Sequence, residues 1–130
     1  MGTETPPGIT ALNVRPGSGP PQDLINGKLE EAVAFSTRDE ADPWLMLDLV
    51  SPRRIGEVTL VNSTDHADDS LPLRVETSVD GATWQEGGVR TTTFTRAEPA
   101  LISFSKRSAR FVRVHGKPGG ALYLSEIEVR

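Results

Sequence analysis

From residue 44 onward, apolar and polar positions alternate with a period of two. This is the mark of half-buried strands rather than helices. Leu45, Leu47 and Leu49 fall on one face of a segment whose other face holds Met46 and Asp48. Val75, Thr77 and Val79 alternate with Arg74, Glu76 and Ser78. Ile102 and Phe104 share a face within Leu101–Phe104, Val112 and Val114 within Arg110–His115, and Ile127 and Val129 within Leu122–Val129. In Arg54–Asn62 the apolar positions Ile55, Val58 and Leu60 slip by one at Gly56, which predicts a β-bulge. Ile9–Val14 reads as a short first strand, and the β-branched run Thr91–Thr95 as extended. Lys28–Phe35 reads as irregular or as one helical turn.

Turn chemistry separates these segments. Asp80-Gly81 ends the strand Leu73–Val79, because glycine tolerates positive φ and aspartate bonds its own backbone. Pro16–Pro21 is a loop by composition and Asp23–Gly27 a turn. Met1–Gly8 is polar and proline-rich, so residues 1–8 are expected to be a flexible segment preceding one domain at 9–130. Many short strands without a long amphipathic helix predict an all-β, antiparallel jelly-roll sandwich of about eight strands. Its expected core is Trp44, Leu47, Leu49, Val58, Leu60, Val75, Trp84, Ile102, Phe104, Val112, Val114, Ile127 and Val129.

Composition narrows the function classes. The 130 residues suit one domain, large enough for a core without disulfides, and there is no cysteine. Lys and Arg number 14 against 18 Asp and Glu, a net charge of −4. That balance lacks the basic face that nucleic acid or anionic lipid requires. No apolar run approaches the roughly 18 residues of a membrane span. Met1–Pro7 has neither the basic nor the apolar region of a signal peptide. No G-x-S-x-G elbow, dinucleotide or Walker loop, or H-E-x-x-H spacing occurs. The histidines are His66 and His115. Adjacent acids such as Asp39-Glu40 and Asp68-Asp69 read first as solvated turns, and His66 with Asp65, Asp68 and Asp69 is a weak metal set. A binding role is therefore favoured over catalysis.

The connection Asn62–Pro72 is long for a hairpin and concentrates Asn, Ser, Asp and His, side chains able to bond sugar hydroxyls. Three further segments then combine with it: Pro43-Trp44 leading to Asp48-Leu49, Ser78 leading through Asp80-Gly81 to Trp84, and Ser125-Glu126-Ile127-Glu128-Val129 at the end. With Arg110–Val114 between the last two, the chain over roughly residues 10 to 130 resembles the discoidin, or F5/8 type C, family, which includes many bacterial carbohydrate-binding modules.

The resemblance implies a non-catalytic module binding carbohydrate through loops at one end of the sandwich, with a protein-interaction domain of the same fold as the alternative. Phospholipid binding ranks last, because the loops are polar and partly acidic. The resemblance also implies a monomeric module carried by a larger extracellular or cell-surface protein. By residue type and position it nominates His66, Asp68 and Arg74 for sugar hydroxyls and Tyr123 for the apolar face of the ring. Trp44 and Trp84 are expected to pack structurally, and at 5% aromatic content few stacking platforms remain. The family's structural calcium would fall to Leu24, Asn26 and Glu126, with Asn26 standing where the family has Asp. The Thr expected in that loop is missing, and Phe35 is the nearest stand-in for its Trp.

Overall fold

The computed structural model describes residues 8–11, 35–62, 70–95 and 97–130. Its strands are β1 (Gly8–Ala11), β2 (Phe35–Ser36), β3 (Trp44–Val61), β4 (Leu73–Ser78), β5 (Gln85–Arg90), β6 (Ala100–His115), β7 (Tyr123–Leu124) and β8 (Glu126–Val129). Every pairing is antiparallel, and no helix occurs among the described residues. The segments Pro16–Pro21, Asp23–Gly27 and Lys28–Ala34 lie outside the described residues.

Two long, bent strands build the sandwich. The first half of β3 lies between β1 and β6, and its second half between β6 and β8. These pairings form one six-stranded sheet, β1-β3-β6-β4-β5 with β8 beside the second half of β3, which the bends fold into two layers; β2 pairs β7 in a separate two-stranded sheet. The sequence separates Trp44–Leu49 from Arg54–Asn62, and Leu101–Phe104 from Arg110–His115. The structure joins each pair, because β3 and β6 turn the corner together. The register shifts between Asp48 and Arg53 and resumes with Arg53 opposite Ala109. Val50 takes φ 77° there, a costly conformation for a β-branched residue. Asp48 Oδ1 accepts the Val50 N–H at 2.8 Å, and Arg110 grips both Asp48 oxygens at 2.9 and 3.1 Å. That guanidinium holds the Asp48 carboxyl below its ordinary value.

The bulge expected at Gly56 is present. The register shifts between Ile55 and Glu57, and the N–H groups of Gly56 and Glu57 both donate to the Arg130 carbonyl. The Asp80-Gly81 turn is also as expected. Asp80 Oδ1 accepts from Ala82 N, Thr83 N and Ser78 Oγ, and Gly81 sits at φ 78°.

One expectation fails locally, and one strand was not expected. Thr91–Thr95 is not a strand. Arg90 instead donates to the carbonyls of Thr92 and Thr93, which curls the chain. β5 forms just before it, in a glycine-containing stretch with weak strand propensity. Its glycines lie against the other layer: a Cβ on Gly88 would come within 2.8 Å of Ile102 and one on Gly87 within 3.1 Å of Phe104. Tertiary packing overrides local propensity here.

The core holds Leu45, Leu47, Leu49, Val58, Leu60, Val75, Ile102, Val112, Val114 and Ile127, with Phe94 and Leu122 among others. Phe104 and Val129 are half-buried against it, short of the expected burial. Trp44 and Trp84 are half-buried as well and are not core anchors. Alternation puts Trp44 on the outward side with Met46 and Asp48, and Trp84 lies beneath the Arg113 guanidinium, 3.8 Å from its ring centre. Val79 is 52% exposed because β4 ends at Ser78.

Candidate functional site

Segments from three connections meet at one end of the sandwich, where β3 and β4 begin and β5 and β6 finish. Gly116 N donates to the Pro43 carbonyl, Gly119 N to that of Glu40, and Glu40 N to that of Gly120. Leu122 N donates to Thr37 Oγ1. Ser70 Oγ accepts from Tyr123 N at 2.6 Å and donates to the Tyr123 carbonyl. The segments 37–43, 70–72 and 116–123 are thus bound to one another, forming a hydrogen-bonded rim on the strand scaffold.

A cavity of about 210 Å³ opens at this rim. Pro72, Val89 and Pro118 give it apolar walls; Asp42, Arg74 and His115 give it polar groups. Its polar floor follows from strand register. Arg113 and His115 are two apart on β6 and face outward, while Val112 and Val114 face the core. On β4, Glu76 stands opposite Arg113 and Arg74 opposite His115.

These positions create a chain of contacts. His115 is 5% exposed. Its Nε2 lies 2.5 Å from Glu76 Oε1 and its Nδ1 2.9 Å from Asp42 Oδ1. Arg113 donates to the same Glu76 oxygen from Nε at 3.2 Å and Nη2 at 3.1 Å. Burial pushes the Glu76 carboxyl up, but the bonds from His115 and Arg113 outweigh it and hold the group below its ordinary value. Arg74 is exposed, and its side chain makes no hydrogen bond or ion pair among the described residues.

Of the residues nominated for sugar, Arg74 lines this cavity. Tyr123 lies at the same end, half-buried and tied to Ser70 through its backbone, but does not line the cavity. His66 and Asp68 lie outside the described residues. Asp42 and His115 were not nominated. The available signal was the outward spacing of Arg113 and His115 against that of Arg74 and Glu76, which becomes a site only once the register is known. Of the calcium set, Leu24 and Asn26 lie outside the described residues, while Glu126 begins β8 with 3% exposure. A carboxylate so buried fits one ligand of a hard cation, which would offset the cost of ionising it.

A family model described as F5/8 type C domain matches residues 8–128. Among solved structures, a Clostridium perfringens module in complex with GalNAc-beta-1,3-galactose is similar at 17% identity. The match covers 95% of this chain and 94% of that one, with a TM-score of 0.79. A Streptococcus pneumoniae fucose binding module is 22% identical over 94% of this chain and 89% of its own, TM-score 0.77. A fucolectin from striped bass (Morone saxatilis) serum is 20% identical over 95% of this chain and 46% of its own, TM-score 0.80. No curated protein matches the chain.

Proposed function

The chain belongs to the F5/8 type C domain family, and on that premise we propose that it is a non-catalytic carbohydrate-binding module. It docks a larger extracellular or cell-surface protein onto glycans through the loop-bearing end, and acts as a monomer. One observation carries the reading: the tied rim encloses a small cavity that combines apolar walls with a guanidinium and a carboxylate. A sugar offers the matching surfaces, apolar C–H groups on one face and hydroxyls on its edge. The similar structures named for fucose and for a galactose disaccharide support the same class. His115 supports a binding role over a catalytic one, since both its ring nitrogens are taken up by carboxylates and neither faces a nucleophile.

A site of this size forms few contacts against the cost of association, so affinity for a single sugar is expected near about 0.1–1 mM. A host protein would gain useful binding from repeated modules or polymeric ligands. A glycan array followed by titration tests this, with Arg74→Ala expected to weaken binding by roughly tenfold, the worth of about one charge-assisted bond. Undiminished binding would move the site elsewhere. An empty array, with a polypeptide captured by the same rim, would favour a protein-docking module.

Glu126, Leu24 and Asn26 are proposed to hold a structural Ca²⁺, whose contribution would be to cross-link the start of β8 to residues 24–26. After EDTA treatment, added Ca²⁺ is then expected to raise Tm by mass action on the folded state, and Glu126→Gln to remove that rise. An unchanged Tm in millimolar Ca²⁺ would eliminate the site.

A further inference from the structure

The floor of the loop-end cavity specifies what kind of sugar it takes, an inference that rests on the glycan-binding reading. Two charged side chains line the space, and each is one-sided in hydrogen bonding. Arg74 only donates, and an ionised Asp42 only accepts. A hydroxyl does both, so adjacent hydroxyls on one sugar satisfy the pair together. A carboxylated sugar would satisfy Arg74 and repel Asp42. An amino sugar would satisfy Asp42 and repel Arg74. At about 210 Å³ the cavity is below the roughly 300–1,000 Å³ of pockets for larger small molecules, which suits one sugar unit.

Asp42 is in position because of His115. The Asp42 side chain is 60% exposed, and its contact to the protein through Oδ1 is with His115 Nδ1. The other ring nitrogen faces Glu76 from β4. Glu76 is fixed in turn by Arg113, two residues back on β6, and Arg74 stands across from His115 on β4. Both ring nitrogens face carboxylate oxygens, so the ring bridges the exposed Asp42 to a Glu76 that Arg113 already holds.

We propose that Asp42 and Arg74 contact the hydroxyls of one uncharged sugar unit, and that His115 is a positioning residue that holds Asp42 through Nδ1.

Titrations of the whole chain with galactose, galacturonate and galactosamine, and with glucose, glucuronate and glucosamine, test the charge rule without any variant. The neutral member of the bound series is expected to exceed both charged members by roughly tenfold, about the cost of one mispaired charge. His115→Gln should bind the neutral sugar weakly and lose discrimination against the carboxylated one, with its folded state checked by thermal melt, and Asp42→Asn should behave likewise. A charged member preferred over the neutral one would overturn the assignment of ligand class. Unchanged affinity and unchanged discrimination in a folded His115→Gln would overturn the role of His115. Neutral-sugar binding that survives Asp42→Asn and Arg74→Ala would sink the inference and leave the glycan reading standing. Failure to bind any glycan would remove both.

Discussion

Leu47→Ala is expected to lower the stability of the fold by about 2–5 kcal/mol, the range for emptying a buried leucine site. Leu47 is 3% exposed in the first half of β3. Its backbone lies in ladder with Ile9 on one side and Val112 on the other, so neither neighbour can move in without breaking strand pairing. The removed methyl groups leave a void rather than a collapsed core. A urea melt should show a lower midpoint at unchanged slope, since the surface exposed on unfolding barely changes. Met46→Ala is the control. Met46 is half-buried on the outward side, and its truncation should cost less than about 1 kcal/mol. Equal losses at the two positions would mean that the faces of β3 are wrongly assigned.

The inward face of β3 was legible because Leu45, Leu47 and Leu49 leave one register that buries all three. The same logic holds for Val112 and Val114, and a turn at Asp80-Gly81 needs only local chemistry. The bends were not legible. Residues 50–53 fell between two separately predicted strands, and only the Asp48–Arg110 pair, 62 residues apart in sequence, shows why the ladder continues past them. β5 was hidden for a related reason, since Gly87 and Gly88 make sense only against Ile102 and Phe104 from the facing layer. The tryptophans were misassigned because size was read as burial. Trp44 shares the parity of Met46 and Asp48, which alternation alone places outward.

The site divides in the same way. Arg74 was found through the family resemblance, at the start of the strand where it was expected. The contacts of His115 reach back 73 residues to Asp42 and 39 to Glu76. No local pattern joins residues at such separations. What the sequence does show is two strands with polar residues at alternate positions, Arg74 with Glu76 and Arg113 with His115. Which pairs meet is decided by register alone.

Glu76 should therefore carry a large share of the polar stability. Glu76→Gln keeps the side chain's size and removes the charge that faces both His115 and Arg113. The expected loss near neutral pH is about 1.5–3 kcal/mol, the range for hydrogen bonds to charged groups. It falls short of the roughly 3–5 kcal/mol of a fully buried ion pair because the Glu76 side chain is 17% exposed. The pH dependence has a definite sign. The folded-state carboxyl titrates below its ordinary value of 4.5, so the unfolded chain binds the proton first as pH falls. The stabilisation is complete above that value and disappears as pH drops through the lower, folded-state value. Asp48 is shifted in the same direction, but it is present in both proteins and cancels in their difference. Urea melts of wild type and Glu76→Gln at a series of pH values should show two stability curves separated near neutrality and converging in acid. Curves that stay parallel into acid would show that the carboxylate's charge is not what stabilises the β4–β6 pair, and that Glu76 acts there through size alone.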